Sequence, residues 1–151
     1  MFLPYAHQSI HADDIAAVTR ALNSAMITRG PEVEAFEKEL AEYCGAEHAV
    51  AFNSASSALL ACCHAADLGP NDLLISSPNT FIASIIGAFH YKATPVFVDI
   101  DRETGNARVD QMLQTANQPA SRGKPVLIPV HFAGLPVDIQ TLENNLHFPD
   151  T

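Results

Sequence analysis

The stretch from His48 to Ala66 restricts the possible folds more than any other part of the chain. It opens with a short apolar run, Ala49-Val50-Ala51-Phe52, passes through Asn53-Ser54-Ala55-Ser56-Ser57, and continues as a helix-forming segment from Ala58 to Ala66. A strand that turns tightly into a helix leaves the first-turn backbone N–H groups without intrahelical acceptors. Those donors lie at the positive end of the helix dipole and suit an anion, most often a phosphate. Ala55, Ser56 and Ser57 have no bulk to keep a phosphate away, and the serine hydroxyls add donors. The same residues have a simpler reading, in which Asn53 or Ser54 only caps a helix. This stretch alone leaves both readings open.

Around it the chain changes character. Residues 1–11, with Pro4, read as an extended lead-in. Asp13 and Asp14 then open a helix to about Ala25, with Ile15, Val18, Ala21 and Leu22 on one face. Pro31 suits the first position of a second helix, whose stripe is Val33, Phe36, Leu40 and Tyr43, and Gly45 stops it. Glu34–Lys38 and Lys38–Glu42 are spaced for weak pairs on its outer face. After the His48–Ala66 unit, strands are expected at Leu73–Ser76, Thr94–Ile100 and Pro125–Phe132. Helices are expected at Thr80–Tyr91, Asp110–Thr115 and Asp138–Leu146, with a polar surface connection over 116–124. The Thr80–Tyr91 helix is apolar nearly all round and reads as buried. Pro125–Phe132 is almost continuously apolar, as a strand covered on both faces requires.

Alternating strands and helices of this size predict an α/β layer structure with a largely parallel sheet. Ligands of such sheets sit beyond the carboxyl ends of the strands. The expected ends are Asn53–Ser56, Ser76–Phe81, Asp99–Asp101 and His131–Gly134, all rich in small, polar or aromatic residues.

Bulk properties narrow the function. The 151 residues have the length of one domain, and 48% are hydrophobic. The net charge is −9 with eight scattered basic residues, so neither a nucleic-acid surface nor an anionic-membrane surface is expected. No apolar run reaches bilayer length and the first ten residues do not read as a secretory signal, which predicts a cytoplasmic protein. Cys44, Cys62 and Cys63 have no metal-ligand spacing and read as buried free thiols. The seven histidines are dispersed along the chain, so no metal site is expected.

Five segments together resemble the DegT/StrS family of sugar aminotransferases, which use pyridoxal 5′-phosphate (PLP). They are Thr28-Arg29-Gly30-Pro31 with Phe36-Glu37, Ala49 to Leu59, Pro78-Asn79-Thr80-Phe81-Ile82-Ala83, Pro95 to Ile100, and Pro129-Val130-His131-Phe132-Ala133-Gly134. The start, Pro4 to Ile10, most resembles the branch that makes a 4-amino sugar nucleotide for pseudaminic acid, the UDP-4-amino-4,6-dideoxy-N-acetyl-altrosamine transaminases. The resemblance implies a three-layer α/β fold, the large domain of fold type I (the aspartate aminotransferase fold), here its amino-terminal part without the small C-terminal domain. It implies amino transfer from an amino acid, with glutamate the expected donor, to a 4-keto-6-deoxy sugar nucleotide in a homodimer.

Residue by residue, the family's phosphate-binding Gly-Thr pair corresponds to Ala55-Ser56, where serine keeps the hydroxyl and alanine keeps the N–H. Phe81 matches the aromatic residue that stacks on the cofactor ring. His131 matches a position lining the site, against the alternative of a satisfied core histidine. Thr28 and Gly30 match a loop that meets the sugar nucleotide in the family dimer. Asp99 resembles a family aspartate, although capping the following turn is its expected job.

The family's Schiff-base lysine and pyridine-nitrogen aspartate lie downstream of the last matched segment, beyond Thr151. The available lysines, Lys38, Lys92 and Lys124, are not expected at a carboxyl strand end. The chain alone is therefore expected to be inactive in transamination, with exposed edges that favour aggregation or a partner. The alternative is a non-catalytic module binding the cofactor or a sugar nucleotide. A serine hydrolase using Ser54 or Ser56 lacks the G-x-S-x-G elbow.

Overall fold

The computed structural model describes residue 4 and residues 6–118 and 123–147. Residues 1–3 and 5 of the lead-in and 119–122 of the polar connection lie outside the described residues. The chain divides into two compact units, residues 1–51 and 52–151.

The first unit carries two helices, α1 (Ala12–Leu22) and α2 (Pro31–Cys44). Asp14 caps α1 by accepting the His11 N–H at 2.8 Å. Pro31 opens α2, and Gly45 ends it at φ 65°, a left-handed conformation that suits glycine. Both apolar stripes face solvent: Ile15, Val18, Leu22, Val33 and Phe36 are all exposed, and of α2 only Ala41 is buried. The expected pairs of Lys38 with Glu34 and Glu42 do not form. Among the described residues Arg108–Asp110 is an ion pair, and His48 Nε2 lies 3.6 Å from the Glu47 carboxylate.

The expected strand at 48–52 is not one among the described residues. Among the described residues it has no ladder partner, and the Ala51 N–H donates to the Glu37 carboxylate at 2.8 Å. Alternating apolar residues specify a strand only where a neighbouring strand completes the hydrogen bonds.

The second unit begins with α3 (Ala55–Ala65), three residues earlier than expected because Ser54 caps it. A three-stranded parallel sheet follows, made of β1 (Leu73–Ser76), β2 (Thr94–Phe97) and β3 (Pro125–Leu127) in the order β2-β1-β3. Three further helices are α4 (Ile86–Tyr91), α5 (Val109–Ala116) and α6 (Ile139–Asn145). The Ser76 carbonyl accepts the Val98 N–H and the Ile75 carbonyl accepts the Ile128 N–H, both at 2.9 Å, so pairing runs slightly past β2 and β3.

All four residues of β1 are buried, as a central parallel strand requires. Successive side chains point to opposite faces. Leu73 and Ile75 join Val98, Met112, Val137 and Leu142 in one core, under α5 and α6. Leu74 joins Cys63, Leu68, Ile85 and Ala88 in the other, under α3 and α4. The second unit thus has the expected three layers. The chain steps from β1 outward to β2, then back across β1 to β3. Right-handed crossovers in opposite directions put α4 and α5 on opposite faces of the sheet.

Two expectations change here. Thr80–Tyr91 is not one buried helix: a 3-10 turn (Ile82–Ser84) precedes α4, and Phe81, Ile82, Ile86 and Phe89 are exposed. The segment buries one stripe against α3 and leaves the other uncovered. Cys44 and Cys62 are exposed as well; only Cys63 is buried. Burial, and then the neighbouring Cys62, push the Cys63 thiol above its ordinary pKa, so it stays a thiol.

Cys63 also sets how closely α4 approaches α3. A Cβ added at Gly87 would collide with the Cys63 sulfur. Gly87→Ala is expected to destabilise the unit by about 1–3 kcal/mol through overpacking. A denaturant midpoint unchanged by the substitution would contradict this.

Candidate functional site

The topology itself marks one edge of the sheet. After β1 the chain leaves toward the α4 face; after the adjacent β3 it leaves toward α6 on the other face. Neighbouring strands whose connections part to opposite faces open a crevice at their carboxyl ends, where α/β sheets hold ligands. α3 joins β1 through the short turn Ala66–Asp72 and lies against the sheet, so it runs antiparallel to β1. Its N-terminus therefore points to this same edge.

At that N-terminus three polar side chains are committed to one another. The Ser57 hydroxyl donates to Asn53 Oδ1 at 2.8 Å. With its proton used there, Ser57 Oγ accepts from the Ser54 hydroxyl at 3.0 Å, and Ser54 Oγ accepts the Ser57 N–H at 3.2 Å. The Ala58 N–H reaches the Ser54 carbonyl at 3.1 Å. This leaves the N–H groups of Ala55 and Ser56, which have no acceptor within the helix. Among the described residues, none bonds the Ser56 hydroxyl. Ala55 is exposed and Ser56 half-buried. The cap and the open donors thus coexist, on different residues.

Phe81 comes just before the 3-10 turn that packs on α3, and Thr80 and Ser84 staple that turn through their hydroxyls at 2.7 Å. At 73% exposure Phe81 is no core residue. His131 is not a buried core histidine either. Its ring is exposed, and Nδ1 accepts the Val137 N–H at 3.0 Å. Ala55, Ser56, Phe81 and His131 all belong to the second unit and to its carboxyl edge. Thr28 and Gly30 belong to the first; Gly30 is buried and a Cβ there would meet the Met26 carbonyl at 2.6 Å.

Asp99 is not the cap of its turn. Asp101 is: its Oδ1 accepts the Glu103 N–H, the Thr104 N–H and the Thr104 hydroxyl at 2.9–3.0 Å. These bonds, chiefly those from Thr104, hold the Asp101 carboxyl below its ordinary pKa. The Thr141 hydroxyl and N–H do the same to Asp138, the cap of α6. Groups depressed in the folded state stabilise it above the unfolded value, about 3.9, and lose that contribution as pH falls through the folded values. Acid unfolding is therefore expected to set in below about pH 4, and at lower acidity in Asp101→Asn. An unchanged acid midpoint in that variant would contradict it.

An open groove of about 950 Å³ runs between Asp99–Asp110 and Pro136–Asp138. Of its acids, Asp101 and Asp138 are engaged in capping and Asp110 in the 2.6 Å pair with Arg108. Among the described residues no cluster of histidine, cysteine or carboxylate side chains could hold a metal ion. None of the helices described is long and apolar enough to cross a membrane.

Sequence reasoning passed over Asn106 and named Ser77 only as part of the Ser76–Phe81 strand end. Asn106 is buried and bonds three backbone groups of the 132–136 segment. The Ser77 hydroxyl, buried past the end of β1, has no partner among the described residues. Each looks like an ordinary loop residue in sequence; only burial distinguishes them.

The parallel sheet with helices on both faces is that of the fold type I aminotransferases, over part of that fold's length. Residues 8–146 match the DegT/DnrJ/EryC1/StrS aminotransferase family, and the chain belongs to it. The spore coat polysaccharide biosynthesis protein SpsC of Bacillus subtilis is 41% identical over 142 residues, which are 93% of this chain and 35% of SpsC. Spr1654 of Streptococcus pneumoniae, in its PMP form, superposes with a TM-score of 0.82 at 32% identity, over 95% of this chain and 35% of that one. A PLP form of the same protein is equally similar. PseC of Helicobacter pylori, an aminotransferase of pseudaminic acid biosynthesis, gives a TM-score of 0.81 at 29% identity, over 93% and 37% of the two chains. The chain thus spans about a third of the length of these relatives.

Proposed function

We propose that the second unit supplies the phosphate cradle of a PLP-dependent sugar-nucleotide aminotransferase, as the amino-terminal part of its large domain. The observation that carries this reading is the set of open donors at the start of α3: two backbone N–H groups and the Ser56 hydroxyl, at the carboxyl edge of a parallel sheet. Three convergent donors at the positive end of an eleven-residue helix suit a phosphate dianion. The similarity to Spr1654, a protein solved in PLP and PMP forms, supports it. PLP, when bound, supplies the electron sink through which an amino group moves from donor to sugar.

In this reading Ala55 and Ser56 hold the phosphate, Phe81 offers its exposed ring to the cofactor's pyridine face, and His131 lines the substrate side. Thr28 and Gly30 meet the sugar nucleotide across a homodimer in the cytoplasm. The bare apolar stripes of α1 and α2 fit burial against further protein. The substrate is a 4-keto-6-deoxy sugar nucleotide and the amino donor glutamate, the expectation the sequence resemblance carries; the similarity to PseC, an aminotransferase of pseudaminic acid biosynthesis, is consistent with it.

The chain's three lysines have other positions. Lys38 is exposed on α2, and Lys92 and Lys124 stand at the amino ends of β2 and β3, opposite the cradle. Lys124 Nζ donates to the Ala66 and Asp67 carbonyls at 2.6 and 2.8 Å, closing the C-terminus of α3. The amine that would hold PLP covalently is thus not one of these. Borohydride reduction of the PLP-loaded chain, followed by peptide mass spectrometry, is expected to leave all three unmodified. Stoichiometric labelling of one of them would overturn the assignment.

A further inference from the structure

His131 has a feature that lining a site does not require. Its Nδ1 accepts a backbone N–H, that of Val137, at 3.0 Å. A nitrogen that accepts carries no proton, so the neutral ring bears its hydrogen on Nε2. The ring is exposed, and Nε2 is a donor whose tautomer the backbone has chosen.

The bond depends on the 131–137 connection keeping its shape, and Asn106 keeps it. The Asn106 side chain, 6% exposed, donates to the Leu135 carbonyl at 3.0 Å and more weakly to that of Pro136 at 3.4 Å. Its Oδ1 accepts the Phe132 N–H at 2.8 Å. One amide therefore clamps both sides of the turn that aims Val137 at the ring. Asn106 is itself fixed, its carbonyl accepting the Asp101 N–H at 2.9 Å and its N–H reaching Thr104 Oγ1 at 3.3 Å. Next to it Gly105 has φ 72°, and a Cβ there would lie 2.6 Å from the Phe132 ring. No other residue type would let the clamp and the turn approach so closely.

We propose that Asn106 is a positioning residue that locks His131 as a fixed Nε2–H donor toward an oxygen acceptor of the sugar nucleotide. The inference rests on the sugar-nucleotide reading above for its ligand, but the locked tautomer stands without it. A core asparagine serving only stability would leave the His131 tautomer unchanged in a folded Asn106→Ala chain.

The test uses the 151-residue chain labelled with ¹⁵N, with uridine diphosphate N-acetylglucosamine as probe. Long-range ¹H–¹⁵N spectra are expected to show His131 in the Nε2–H form alone, with Nε2 shifting when the probe is added. In Asn106→Ala the form becomes mixed, and probe affinity falls about five- to tenfold, the worth of one hydrogen bond. PLP affinity stays within about twofold, because the phosphate donors on α3 are untouched. Asn106→Asp, which keeps the Phe132 contact and loses both carbonyl contacts, follows the alanine variant. An Nδ1–H or mixed wild-type spectrum overturns the inference, as does a His131 signal indifferent to the probe; neither needs a folded variant. A fixed Nε2–H in a chain with no preference for the PLP phosphate would instead count against the cradle.

Discussion

Ser56→Asp is expected to weaken PLP binding by about 100-fold or more, because it swaps a donor for a negative charge beside a dianion. At about 4 Å and an effective dielectric near 20, one pair of like charges costs about 4 kcal/mol. Solvent at this half-buried corner reduces that, but about 2.8 kcal/mol already means 100-fold. Ser56→Thr keeps the hydroxyl and is expected to stay within about threefold, the range of a small steric adjustment. Quenching of PLP fluorescence or calorimetry would measure both. If the aspartate variant binds like wild type, the phosphate does not lie at the start of α3.

The largest expected effect on stability is at Leu74. It is fully buried in β1 and joins the α3–α4 core to the sheet. Leu74→Ala removes its transfer free energy and leaves a cavity that central-strand neighbours cannot close, together worth about 2–5 kcal/mol. That approaches the total stability of a domain this small, since typical values are about 5–15 kcal/mol. Unfolding followed by circular dichroism in urea should show the midpoint fall steeply with the slope unchanged. A loss below about 1 kcal/mol would mean the β1 core is much looser than its burial implies.

The readable parts of the sequence were those where local chemistry decides the outcome. Leu73–Ser76 forms the expected strand, and Pro31 and Gly45 bound α2 as expected. Helix boundaries slipped where a cap competed with periodicity: Ser54 starts α3 three residues before the apolar segment begins. What failed depended on partners distant in sequence. The apolar run Ala49–Phe52 reads like a strand but finds no ladder among the described residues. The Thr80–Tyr91 segment is apolar all round, yet only one stripe of it finds a neighbour. Phosphate and cap seemed rival readings of 53–57: Ser54 is the cap, with Asn53 and Ser57 satisfying one another around it, and Ala55 and Ser56 keep open donors beside it. Asn106 was invisible because its bonds reach 26 to 30 residues along the chain.

The account depends above all on the phosphate, and the direct measurement compares two ligands that differ only in that group. Wild-type chain titrated with PLP and with pyridoxal should prefer PLP by at least about tenfold, equivalent to 1.4 kcal/mol or more from the α3 donors. Equal affinity for the two would contradict the cradle.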